Sequence, residues 1–102
     1  MYVAMNRFRI APGQEETFIE IWRNRETHLD EVPGFKSFQL LQGPTTDEYT
    51  LFASHSIWES EEAFRNWTTS DAFRKAHANA KPASGVYLGH PQFEGFTAVL
   101  SQ

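Results

Sequence analysis

Three side chains of this 102-residue chain have types and spacing that could do chemistry: Asn6, Trp67 and His77. A neutral imidazole ligates metals, an amide both donates and accepts hydrogen bonds, and an indole offers a broad apolar plate with one donor. Asn6 stands in phase with Ala4, Phe8 and Ile10 on an otherwise apolar strand face. A buried amide without partners costs about 1–3 kcal/mol, so either a neighbouring backbone group satisfies Asn6 or a ligand does. Trp67 follows Phe64 by three residues, so both rings can face one layer, as core or as pocket wall. His77 closes the stretch WTTSDAFRKAH one turn beyond Phe73. It reads either as an ordinary surface histidine or as a ligand.

The elements that must position these residues follow from periodicity. Residues 2 to 10 alternate as a strand, with Tyr2, Ala4, Asn6, Phe8 and Ile10 opposed to Val3, Met5, Arg7 and Arg9. Pro12-Gly13 ends it. A helical period runs from Gln14 to about Asp30, with Phe18, Ile21, Trp22, Arg25 and Leu29 on one stripe. Val32-Pro33-Gly34 stops it, and strands are expected over Phe35 to Gln42 and Glu48 to Trp58. Ser60 caps a second helix that carries Ala63, Phe64 and Trp67 on its apolar side. Ser70-Asp71 is a fresh cap that predicts a kink or a new short helix, ended by Lys81-Pro82. A last strand is expected over Phe93 to Leu100, with Phe96, Ala98 and Leu100 in phase.

The order is β-α-β-β-α-β, an α+β ferredoxin-like arrangement in which two helices cover one face of a four-stranded antiparallel sheet. Residues 1 to 102 fit a single domain. The sheet's other face carries apolar residues such as Val3 and Met5, so a homodimer is expected. Nine Phe, three Trp and three Tyr are more rings than so small a core needs, which favours an interface or a ligand pocket.

Composition narrows the chemistry. With 9 basic and 13 acidic residues the net charge is −4, which argues against nucleic acid as a partner. There is no cysteine, so thiolate catalysis and Cys-based metal sites are excluded. No apolar run has membrane-spanning length, and the opening MYVAMNRFRI lacks a signal pattern, so a cytoplasmic protein is expected. The fold brings Asn6 on the first strand and the 60–80 segment to opposite walls of one space between sheet and helices. An imidazole there could hold haem iron, an amide opposite could hydrogen-bond a ligand on iron's far side, and an indole could distort the ring.

Asn6-Arg7, Pro33-Gly34-Phe35, Trp58 and Trp67…Ser70-Asp71…Phe73…Ala76-His77 together resemble the IsdG-type haem-degrading monooxygenases, within the antibiotic-biosynthesis-monooxygenase superfamily. The resemblance covers nearly the whole chain. It implies a dimeric α+β barrel with one haem per protomer, serving as cofactor and substrate. It also implies His77 as the axial iron ligand, Asn6 as the distal hydrogen-bond donor and Trp67 as the residue that ruffles the porphyrin. O2, an external electron donor and an unidentified reductase would complete the reaction, releasing iron and a tetrapyrrole. By the same resemblance Phe73, Trp22 and Arg25 lie at the haem. Arg25 either meets a propionate or snorkels from its apolar stripe, and Arg23, Arg74 and Lys75 are weaker partners for the propionates.

His55 reads as a satisfied core histidine facing the dimer, while His28 and His90 have no metal spacing. The loop from Lys81 to Gln92 matches no family pattern. Three rivals remain: a cofactor-independent monooxygenase acting on a small aromatic or quinone, a haem-binding protein that does not degrade its ligand, and a dimeric structural module.

Overall fold

The computed structural model describes residues 1–25, 28–71, 73–74 and 85–102. Strand β1 (Tyr2–Ile10) buries Tyr2, Ala4, Phe8 and Ile10, the face that the alternation selects. It pairs antiparallel with β3 (Thr50–Trp58) on one side and with β4 (Gln92–Thr97) on the other. Strand β2 (Phe35–Thr45) joins the outer edge of β3, giving the order β2-β3-β1-β4 of a ferredoxin-like sheet. Helices α1 (Glu15–Arg23) and α2 (Glu61–Thr68) pack on one face of it.

Two apolar clusters lie beneath the helices. Phe18 of α1 is fully buried among Phe8, Ile10 and Phe52. Phe64 and Trp67 of α2 lean on the second, formed by Tyr2, Ala4, Leu29 and Trp58. Ser60 caps α2 as expected, its hydroxyl accepting from the Ala63 N–H at 3.1 Å. Ser70 caps the next turn, its hydroxyl accepting from the Phe73 N–H at 3.1 Å, and residues 71, 73 and 74 are helical. The anticipated break after Trp67 is therefore present.

Four boundaries differ from the expectation. Helix α1 ends at Arg23, where the Asn24 N–H caps back onto Glu20 and Trp22. Leu29–Glu31 forms a separate 3-10 turn, entered through His28 at φ 53. Asn24 and His28 are weak helix formers, and an apolar stripe alone does not carry a helix through such residues. Ile19, outside the expected stripe, packs on the core with Trp22. Strand β2 runs on through Gly43-Pro44, which an edge strand tolerates because its register slips between Gln42 and Thr45. Strand β3 starts at Thr50, since Thr46 turns the hairpin by accepting from the Glu48 and Tyr49 N–H groups. Strand β4 stops at Thr97, where β1 runs out at Tyr2, leaving Val99 and Leu100 94% and 78% exposed.

Within the loop before β4, Val86 is buried in the first cluster and Tyr87 bridges to Ile10. Lys81 and Pro82 lie outside the described residues.

Gly34 fixes how α2 sits on the sheet. Its φ is +85, and a Cβ there would stand 2.5 Å from the Ala63 Cβ. Gly34→Ala is therefore expected to cost about 1–3 kcal/mol through strain and overpacking, read as a lower denaturation midpoint with unchanged slope.

Candidate functional site

A cavity of about 340 Å³ opens between the helix-facing side of the sheet and the segments that cover it. Its size is at the lower end of ordinary small-molecule sites. Asn6 and Ala4 of β1, Ser54, Ser56 and Trp58 of β3, Phe38 of β2 and Phe93 of β4 contribute from the sheet. Trp22 of α1, Arg25, Leu29, Phe64 and Trp67 of α2, Thr68 and Phe73 contribute from the covering segments. Five of the residues singled out in the sequence, Asn6, Trp22, Arg25, Trp67 and Phe73, thus line one space. His77 lies outside the described residues, as does Lys75.

The walls are mostly aromatic and braced by one another. Trp67 stacks on the fully buried Trp58 with centroids 5.3 Å apart at 29°, and meets Phe73 edge-on at 4.8 Å. Phe64 stacks on Phe93 at 5.6 Å and 8°, and Trp22 stacks on Phe38 at 5.4 Å. Rings locked by such contacts present flat apolar surface at small entropy cost. The Trp22 Nε1–H is sealed from solvent and has no hydrogen-bond partner among the described residues. A buried donor of this kind is uncommon and calls for an explanation.

Polar groups on the lining divide into committed and free. The Trp58 Nε1–H donates to Ser56 Oγ at 2.9 Å, and Ser56 donates to the Ala4 carbonyl at 3.3 Å. The Thr68 hydroxyl donates to the Arg65 carbonyl at 2.9 Å. Among the described residues, the side chains of Asn6 and Ser54 make no hydrogen bond. Arg25 lies over the Trp22 ring with Cζ 4.2 Å from its centroid, and pairs with no described carboxylate. Arg23 and Arg74, the alternative cations, are exposed and occupied by Glu20 and Asp71. Burial pushes the Tyr87 phenol up despite the opposing charge of Arg25, so it stays neutral.

The other histidines stand away from the cavity. His55 lies on the opposite sheet face, opposite Met5 and Gln39, and its sealed Nδ1 has no partner among the described residues of this one chain. His28 sits 4.0 Å from Glu31 in a separate, more open groove of about 460 Å³. The rim of that groove carries Glu31, Glu59 and Glu62, which disfavours an anionic ligand. Among the described residues no group of three His, Cys, Asp or Glu side chains could hold a metal ion.

Sequence reasoning missed Ser54, Phe38 and Phe93. Their signal was phase alone: Ser54 alternates with the buried Phe52 and Trp58, and β-sheet pairing puts Phe93 opposite Asn6.

Comparison with known proteins gives this geometry its relatives. Residues 1–79 match the family model described as antibiotic biosynthesis monooxygenase. A heme-degrading monooxygenase of Listeria welshimeri is 36% identical over 88 residues, covering 79% of this chain and 73% of the relative. The heme-degrader MhuD of Mycobacterium tuberculosis, solved with two hemes in its active site, superposes with a TM-score of 0.77 at 28% identity, covering 100% and 99% of the two chains. SnoaB, a cofactor-independent oxygenase of Streptomyces nogalater, shares the fold with a TM-score of 0.68 at 22% identity, covering 98% and 94%. The chain belongs to the antibiotic biosynthesis monooxygenase family, is a monooxygenase, and resembles in sequence that family's haem-degrading members.

Proposed function

We propose that this monooxygenase binds haem between its sheet and helices and opens the porphyrin oxidatively, consuming O2 and electrons from an external reductase. The observation that carries the reading is the cavity's division into ring-lined walls, an uncommitted amide on the floor and an uncommitted guanidinium at Arg25. A flat apolar ligand with anionic edges suits those three features together. Relatives that degrade haem point the same way.

In this reading haem supplies the iron that activates O2 and is also the substrate. His77, four residues after the cavity-lining Phe73, would hold the iron. Asn6 would offer its amide as a hydrogen-bond donor to a small ligand in the cavity. Arg25 meets a propionate, because its fork is bound to no described carboxylate and stacks on Trp22. Trp67, backed by Trp58 and Phe73, would bear on the face of a bound macrocycle and resist displacement by it. Closing the rings around the ligand excludes water from the reacting face.

A second copy would cover the open sheet face in a dimeric barrel. Val3, Met5, Ala53 and Ile57 share that face with Leu41 and Phe96, which are 40% and 48% exposed.

Titration with haemin tests the binding half of the proposal: a Soret band saturating at a fixed haem-to-protein ratio, with tryptophan fluorescence quenched in step. No Soret band would instead favour cofactor-independent oxidation of a small aromatic. Trp67→Phe is expected to keep haem binding and slow ring opening by roughly ten- to a hundredfold, since a smaller ring presses less on the porphyrin. Single-turnover absorbance under air measures it.

A further inference from the structure

We infer that Ser54 acts beside Asn6 as a two-point hydrogen-bonding floor that aims a small oxygen ligand at one edge of the bound ring, and so sets which product forms. The inference rests on the haem-degrading reading above.

Four neutral polar side chains line the cavity: Asn6, Ser54, Ser56 and Thr68. Ser56 and Ser54 are chemically identical and two residues apart, yet the structure separates them. Ser56 accepts from the Trp58 Nε1–H and donates to the Ala4 carbonyl, so its bonding is spent on the fold. Thr68 is likewise held by the Arg65 carbonyl. Ser54 is 7% exposed and makes no hydrogen bond among the described residues, although its oxygen is not sealed off. A hydroxyl in that position keeps its hydrogen-bonding capacity open toward the cavity.

Its neighbour explains the arrangement. Asn6 and Ser54 are direct cross-strand partners in the β1–β3 register, so both point to the same sheet face. Side chains so paired have Cβ atoms about 5 Å apart. One acceptor atom can then lie roughly 2.9 Å from a donor on each. Two donors fix a direction where one fixes only a distance. The rings on the walls hold a planar substrate above this floor, so that direction decides which ring edge faces the small ligand. Asn6 alone leaves it free to swing.

The experiment compares wild type, Ser54→Ala, Ser54→Thr and Ser56→Ala. Ser54→Ala is expected to keep its Tm and its haemin stoichiometry, because no bond of the fold is lost. Ser56→Ala should lower Tm by roughly 5 °C, since it orphans the Trp58 donor. In Ser54→Ala the C–O stretch of the ferrous carbonyl complex should rise, because a donor to the ligand oxygen is gone. Its ratio of tetrapyrrole isomers should shift from that of the wild type, with ring opening slowed roughly tenfold. Ser54→Thr restores the hydroxyl, and should restore the stretch and the wild-type isomer ratio. An unchanged stretch and isomer ratio in Ser54→Ala would overturn the inference while leaving haem degradation standing. A Ser54→Ala protein that loses its fold would overturn it too, because the hydroxyl would then be structural. A wild-type protein without a Soret band would remove the haem reading itself, and the role of Ser54 with it.

Discussion

Replacing His77 with alanine is expected to abolish the histidine-ligated Soret spectrum and bring aerobic haem loss down to that of free haemin. The expectation follows from the resemblance, and the lining of the cavity offers no rival among the described residues. Iron needs a nitrogen, sulfur or phenolate donor from the protein. The chain has no cysteine. Among the described residues, no histidine, methionine or tyrosine lines the cavity. Met5 and His55 occupy the opposite sheet face, His28 lines the other groove, and His90 is exposed. With His77 gone, the aromatic walls can still retain the macrocycle, so some haemin should bind without the ligated spectrum. Exogenous imidazole should then restore a Soret band in His77→Ala. A variant that keeps both its spectrum and its turnover would show that another residue holds the iron.

Trp58→Ala is expected to be the most damaging substitution outside the ligand itself. The indole is fully buried, packs against Phe35, Phe64 and Trp67, and donates to Ser56. Truncating such a side chain costs about 3–5 kcal/mol, against a total stability of roughly 5–15 kcal/mol for a domain. The variant should lose a large part of its urea midpoint, or fail to fold without haem. Function suffers separately, because Trp58 is the plate on which Trp67 rests. Trp58→Phe should keep the fold at smaller cost, yet leave Trp67 less firmly backed. Equal stability of Trp58→Ala and wild type would refute the packing described for this wall.

Much of this was legible in the chain. Alternation in β1 correctly placed Asn6 with Phe8 and Ile10, because a period of two leaves little freedom once one face is buried. The caps at Ser60 and Ser70 were equally readable, since a side-chain oxygen that satisfies a helix-end N–H is a local event. What failed was whatever depended on distant partners. The end of β4 is set by where β1 runs out, and the fate of Gly43-Pro44 by its edge position. Val86 and Tyr87 enter the core from a loop with no periodicity to announce them. Ser54 and Ser56 look alike in sequence, and only their partners tell them apart. The role of His77 was read from the family resemblance, and it is the residue on which the proposal most depends.

That proposal is tested most directly by one aerobic experiment. The protein is loaded with one equivalent of haemin, a reductant is added in air with a ferrous-iron chelator present, and the spectrum is followed. The account predicts that the Soret band decays without a stable intermediate plateau, that chelated iron appears in proportion, and that an open-chain tetrapyrrole is recovered. A Soret band that persists through reduction in air, with no iron released, would contradict it and leave a protein that only carries haem.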